Sequence, residues 1–145
     1  ELSEKAFQLF FKERNKVEFF PYVLDEIEKL AQIYELGCLT NGNADIEMIG
    51  IGKFFKFNIS SKDVNANKPN KNHFQKAVEL LGISKEEILH IGDHKINDML
   101  GAISYGVKAL WFNPDKEDWD LDDIKKPSEF NSWQGVTEKI NNFYS

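Results

Sequence analysis

Short apolar runs separated by stretches of helical periodicity restrict this chain more than any other feature. Leu36 to Thr40, Ile88 to Ile91 and Lys108 to Phe112 are too short for helices and nearly all apolar. That is how strands buried on both faces of a parallel sheet read. Behind Pro21, the residues Val23, Leu24, Ile27, Leu30, Ala31 and Tyr34 recur at three- and four-residue spacing, and Phe74, Ala77, Val78 and Leu81 do so ahead of Gly82. Both patterns carry the 3.6-residue period of amphipathic helices. A further strand is expected over Phe54 to Ser60, a single capped turn at Ser84 to Glu87, and a helix over Asp98 to Tyr105 closed by Gly106. Strands that alternate with helices connect by right-handed crossovers, which implies a parallel sheet with helices on both faces.

The 145 residues fit one domain with a sizeable core. A formal net charge of −6, with lysines scattered among acids, argues against a nucleic-acid surface, so small anions must be captured locally. No apolar stretch approaches the roughly 20 residues that span a bilayer, and the opening ELSEKAFQLFFKERNK lacks a secretory pattern, which points to a cytoplasmic protein. Leu2, Ala6, Leu9 and Phe10 suggest a first helix entered midway, and a short helix is expected from about Ala44. The single cysteine, Cys38, sits in the apolar run LGCL and reads as a buried strand residue. The tail, Asp115 to Ser145, is acidic and loop-rich until a last helix from about Trp133, and is expected to cover one sheet edge.

Ligands of open α/β sheets bind beyond the carboxyl ends of the strands, and three such points carry chemistry. After the first strand comes Thr40-Asn41-Gly42-Asn43, a hydroxyl followed by a turn able to aim N–H groups at an anion. Lys68 follows the second strand. Asp93 and Asp98 follow the third, one at the strand tip and the other in the first turn of the next helix. Two carboxylates about 4 Å apart repel by roughly 4 kcal/mol at an effective dielectric near 20, and a hard cation relieves that. Singly, each motif has a plain structural reading: Asn-Gly is a common turn, Lys-Pro a common loop, and Asp98 a possible helix cap. Asn43 and Asp45 read as caps of the helix after Thr40, and Asn97 as orienting the loop between the two aspartates. His90 reads as a hydrogen-bonded core residue. His94 and Lys95 could face either substrate or solvent. His73 carries no functional expectation, and Trp111, Trp119 and Trp133 read as edge packing.

The runs YELGCLTNGNADI, NKPNKNHFQKAVELLGI and LHIGDHKINDMLGAISYGVKALWFN resemble the second, third and fourth motifs of the haloacid-dehalogenase-like hydrolases, in the branch of capped small-metabolite phosphatases. The resemblance implies a Rossmann-like three-layer α/β/α fold. It implies that Thr40 holds a phosphoryl oxygen with the Asn41-Gly42 backbone assisting. Lys68 would neutralise charge on phosphoryl and nucleophile, Asp93 would ligate Mg²⁺, and Asp98 would support the metal directly or through water. Phosphoryl transfer is catalysed mostly by positioning and electrostatic stabilisation, which a cation, a lysine and N–H donors supply. Mg²⁺ suits one or two carboxylates plus a phosphate.

The family's first motif, an aspartate nucleophile with a second aspartate two residues on, does not occur after any apolar strand. DWDLDD, Asp118 to Asp123, reads as a solvated acidic loop. The expectation is that the central first strand is absent from this chain, with residues 1–20 a cap-exit remnant and 21–145 an incomplete core domain. About five buried apolar side chains on such a strand would contribute roughly 10 kcal/mol, against a domain stability of about 5 to 15 kcal/mol. An upstream peptide, a swapped segment or collapse of the flanking strands should then fill the gap. The implied function is a Mg²⁺-dependent phosphohydrolase working through an aspartyl-phosphate whose nucleophile lies upstream, the chain alone being silent. The alternatives are a 2-haloacid dehalogenase and a non-catalytic phosphate- or metal-binding module.

Overall fold

The computed structural model describes residues 19–42 and 50–144. The expected helices near the N-terminus and from Ala44, the caps Asn43 and Asp45, and all of the 1–20 remnant except Phe19 and Phe20 lie outside these residues. The described order is α1 (Val23–Ile33), β1 (Gly37–Thr40), β2 (Phe57–Ser60), α2 (Ser61–Val64), α3 (Asn72–Leu81), β3 (Leu89–Gly92), a wide helical turn (Lys95–Leu100) running into α4 (Gly101–Tyr105), β4 (Lys108–Phe112), β5 (Ser128–Phe130) and α5 (Val136–Tyr144).

Local chemistry explains where these boundaries depart from expectation. Pro21 does not open α1, because Tyr22 takes a left-handed φ of 69° and leaves Pro21 in the preceding turn. Strand β2 starts at Phe57 rather than Phe54, since a 3-10 turn closes there through Phe54 N–H to Ile51 O at 3.0 Å. The tail helix begins at Val136 rather than Trp133, because Gly135 adopts φ 74° and breaks the helical path. Ser60 caps the short α2, which the sequence reading did not contain. Gly82 ends α3 at φ 65°, as expected.

All pairings among the described residues are parallel: β1 with β2, β3 with β4, and β4 with β5. The tail does cover an edge, by adding β5 to β4 with Leu110 opposite Ser128. Strand alternation sorts the core into two layers. Val23, Ile27 and Leu30 of α1, Val136 and Ile140 of α5, and Leu110 and Phe112 of β4 bury one face. Leu39, Ile59, Phe74, Ala77, Ala102 and Val107 bury the other. Helices therefore cover both faces, giving the three-layer α/β/α arrangement. Cys38 is fully buried against Ile51. Trp111 and Trp133, 1% and 2% exposed, are core residues and not edge packing, while Trp119 leans on Trp111 with ring centroids 5.5 Å apart.

The sheet is interrupted. Among the described residues no ladder joins β1 to β3, so the strands form a two-stranded and a three-stranded part. A cavity of about 600 Å³ lies between them, lined from both sides by residues such as Gly37, Leu39, Leu89 and Ile91. None of the described helices is long and apolar enough to cross a membrane.

The helical layer over α1 and α5 is joined by a buried carboxylate. Glu26, 2% exposed, accepts the Thr137 N–H at 3.0 Å, and its own backbone carbonyl accepts the Thr137 hydroxyl at 3.3 Å. A carboxylate here meets the positive end of the α5 dipole. Glu26→Ala should lower stability by about 1 to 3 kcal/mol, the cost of a buried donor left without its partner. Glu26→Gln, which keeps an acceptor, should lose less, and chemical denaturation compares the two.

Candidate active site

The chemistry-bearing residues stand at the carboxyl ends of β1 and β3 and on the loop before α3. Strand β3 explains the first placement. Leu89 and Ile91 pack against the α1/α5 side of the sheet, so His90 and Gly92 face the opposite layer, where Phe74 and Asp98 lie. Gly92 is required there, because a Cβ would run into Cβ and Cγ of Asp98 and come 2.6 Å from its Oδ2.

Asp98 is not the helix cap that its position allowed. The N-cap is His94, whose Nδ1 accepts the N–H groups of Ile96 at 3.2 Å and Asn97 at 3.0 Å. His94 N–H in return donates to Asp98 Oδ2 at 3.1 Å, a reciprocal arrangement like a capping box. The first turn is wide, with both Asp98 N–H and Met99 N–H bonded to His94 O. That width tips the Asp98 side chain inward, where it is fully buried.

Lys68 meets it. The Lys68 ammonium lies 2.6 Å from Asp98 Oδ1 and 3.0 Å from the carbonyl of Leu39, both side chains being shielded from solvent. His90 Nε2 is 3.0 Å from the same Oδ1. Burial pushes the Asp98 carboxyl up, whereas the His90 hydrogen bond and the Lys68 ammonium are among the influences that hold it well below the usual carboxylate range. The acid is therefore an ionised hub with both oxygens engaged.

Thr40, fully buried, follows the carbonyl that Lys68 grips, and its Oγ1 accepts the Gly42 N–H at 2.9 Å. The following turn has a second duty. Asn41 holds Lys68 through its side chain, accepting the Lys68 N–H at 2.8 Å and donating to the Lys68 carbonyl at 3.1 Å. Asp93 projects from the tip of β3, half-buried, with its carbonyl accepting the Trp111 indole N–H at 3.1 Å. Lys68 and Asp98 thus touch, Thr40 is one residue from a Lys68 contact, and Asp93 follows the glycine that presses on Asp98. Asp98 spends both oxygens inside the protein, so Asp93 is the carboxylate of the pair placed to meet a hard ion of the Mg²⁺ kind, which takes one or two carboxylates and completes its shell with water and phosphate. Among the described residues no group of three or more His, Cys, Asp or Glu is placed to hold a metal ion.

Two residues left open at the mouth are engaged in holding structure. His94 caps its helix, and Lys95 ties down the acidic loop through Asp120 at 2.9 Å and the Asp118 carbonyl at 3.2 Å. His73, to which no function was assigned, lies in the site's floor with Nε2 2.9 Å from the Thr40 carbonyl. Neither its role nor that of Asn41 leaves a local signal, because each contact joins residues 33 or 27 positions apart.

A profile of haloacid dehalogenase-like hydrolases matches residues 2–112. Over 115 residues the chain is 34% identical to 5-amino-6-(5-phospho-D-ribitylamino)uracil phosphatase YigB of Escherichia coli, covering 77% of this chain and 48% of that enzyme. The chain thus spans about half the length of that relative. A 2-haloacid dehalogenase from Pseudomonas syringae superposes with a TM-score of 0.84 at 31% identity, over 94% of this chain and 59% of the other. A HAD phosphatase from Thermococcus onnurineus gives 0.79 at 26%, over 94% and 64%.

Proposed function

The chain belongs to the haloacid dehalogenase-like hydrolases, and from that membership we propose that it carries the phosphate- and metal-binding half of a Mg²⁺-dependent phosphohydrolase acting on a small phosphorylated metabolite in the cytoplasm. The observation that carries this reading is the Lys68 ammonium, fixed between Leu39 O at 3.0 Å and Asp98 at 2.6 Å beside the two strand tips. A buried cation at that point is suited to a dianionic group, and Thr40 adds a hydroxyl and the Asn41 backbone an N–H donor for its oxygens. Asp93, the more accessible carboxylate, would hold the Mg²⁺, with Asp98 behind it acting through Lys68 and through water. When bound, the ion offsets negative charge on the phosphoryl group.

The nucleophile in this reading is an aspartate on a strand seated between β1 and β3, supplied by an upstream peptide or a segment swapped from another copy. Its carboxylate attacks phosphorus to form an aspartyl-phosphate as the bond to the leaving oxygen breaks, the aspartate two residues on protonates that alkoxide, and the same aspartate then takes a proton from the water that attacks the aspartyl-phosphate, releasing phosphate and the free carboxylate. The interrupted ladder and the cavity between the two parts of the sheet support that placement.

An aryl phosphate assay with Mg²⁺ tests the reading. The 145-residue chain alone should be silent, and protein that also carries the nucleophile strand should turn over. Asp93→Asn should then lower turnover by about a hundredfold or more, in line with loss of a group that stabilises transition-state charge. Turnover by the chain alone that survives Asp93→Asn would overturn the mechanism. The similarity to a 2-haloacid dehalogenase supports a second reading, which halide release from a 2-haloacid without added metal would establish.

A further inference from the structure

Beneath the candidate site lie two imidazoles that the phosphohydrolase reading leaves without a role. His73 is fully buried, enters from the first turn of α3, and places Nε2 2.9 Å from the Thr40 carbonyl. A carbonyl only accepts, so that nitrogen carries the proton. His90, 7% exposed, reaches from β3 to the same layer, and its Nε2 donates toward Asp98 Oδ1 at 3.0 Å. Phe74, the neighbour of His73, stands edge-on to the His90 ring with centroids 5.0 Å apart and planes at 87°.

These contacts bridge the interruption in the sheet. Thr40 ends β1 in the two-stranded part, whereas His90 and Asp98 belong to the three-stranded part, and no ladder joins them among the described residues. The segment from Lys68 to Phe74 grips both. Lys68 ties the Leu39 carbonyl to Asp98, and the His73-Phe74 pair ties the Thr40 carbonyl to the His90 ring. His90 also limits how the Asp98 carboxylate can turn, because Oδ1 then has two donors in fixed directions and Oδ2 has the His94 N–H.

We infer that His73 and His90 are positioning residues of the phosphoryl site, each using its Nε2 proton to hold one flank, the Thr40 carbonyl or the Asp98 carboxylate, at the spacing Lys68 bridges. The inference rests on the phosphohydrolase reading. Leu removes the donor while keeping bulk, and Gln keeps an N–H at similar reach, so the two substitutions separate hydrogen bonding from packing.

Inorganic phosphate titrated with Mg²⁺ into the purified protein by calorimetry is the test. His73→Leu and His90→Leu should each weaken binding about tenfold, and the Gln variants should stay within about threefold of the parent, as for the partners that orient a ligating group. Lys68→Met is the control. If Lys68→Met, shown to be folded by circular dichroism, loses phosphate while the Leu variants bind like the parent, the positioning role is refuted and the phosphate reading stands. If Lys68→Met binds like the parent, the phosphate reading itself fails.

A second readout needs neither phosphate nor a variant. Long-range nitrogen spectra of the parent protein should show a protonated Nε2 on both rings at neutral pH, and protonation at Nδ1 alone on either ring would overturn the inference. Where the Leu variants fold, His90→Leu should move the His94 backbone amide resonance and His73→Leu the Gly42 amide, with Gln moving each less. Resonances that ignore the Leu substitutions would also overturn it.

Discussion

Lys68→Met should lower the unfolding free energy by about 3 to 5 kcal/mol, the usual cost of removing one partner of a buried ion pair. The reason is the state it leaves behind. Asp98 has no solvent exposure, and without the ammonium its carboxylate would sit in the interior with the His90 and His94 hydrogen bonds but without the Lys68 charge. Adding Asp98→Leu in the same chain should recover much of the loss, since apolar replacement of a whole buried pair is often close to neutral. Chemical denaturation of both single variants and the double variant measures this, and costs that simply add would refute the coupling. The pH dependence has a definite sign. The folded carboxyl of Asp98 lies well below its ordinary value of 3.8, so its contribution is complete above that pH and disappears as pH falls through the lower folded value. The parent protein should lose stability in that acid window, and the Lys68→Met/Asp98→Leu double variant should lack that component.

Gly92→Ala is the second large effect. Its Cβ would occupy the space of Asp98 Cβ and Cγ, at the point where β3 hands over to the loop bearing Asp93. Overpacking costs typically about 1 to 3 kcal/mol, and the helical turn that holds Asp98 is the part that must give. A displacement of about 1 Å in a positioning group can reduce rate about a hundredfold. Turnover of an aryl phosphate by Gly92→Ala in protein that also carries the nucleophile strand, measured beside its melting temperature, should therefore fall far more than stability does. Unchanged turnover would mean that the close approach of Gly92 to Asp98 has no part in the chemistry.

Much of the scaffold was legible from pattern alone. The apolar runs at Leu36 to Thr40 and Ile88 to Ile91 became β1 and β3 within a residue at either end, and Lys108 to Phe112 became β4 without change. Phe74 to Leu81 fell inside α3, with Gly82 ending it. Elements with weak or interrupted patterns were not legible. Strand β5 has three residues, Ser128 to Phe130, and exists because β4 offers it a ladder. The start of α1 was set by Tyr22 in a conformation that few non-glycine residues adopt, against the usual role of Pro21.

The candidate site divides the same way. Its residue types and their location at strand ends could be read along the chain, because side-chain alternation along a strand and the 3.6-residue helical period are local properties of the backbone. The sequence by itself determined that Thr40, Lys68, Asp93 and Asp98 would follow strands or open helices. Only the tertiary structure decided that His94 caps the turn, that Asp98 is an internal ionised hub, and that His73, His90 and Asn41 serve the same small volume. Lys68 and Asp98 are 30 residues apart, and Thr40 and His73 are 33 apart. Contacts of that range carry no periodic trace, since they form only when burial of two apolar layers brings separate strand tips to one place.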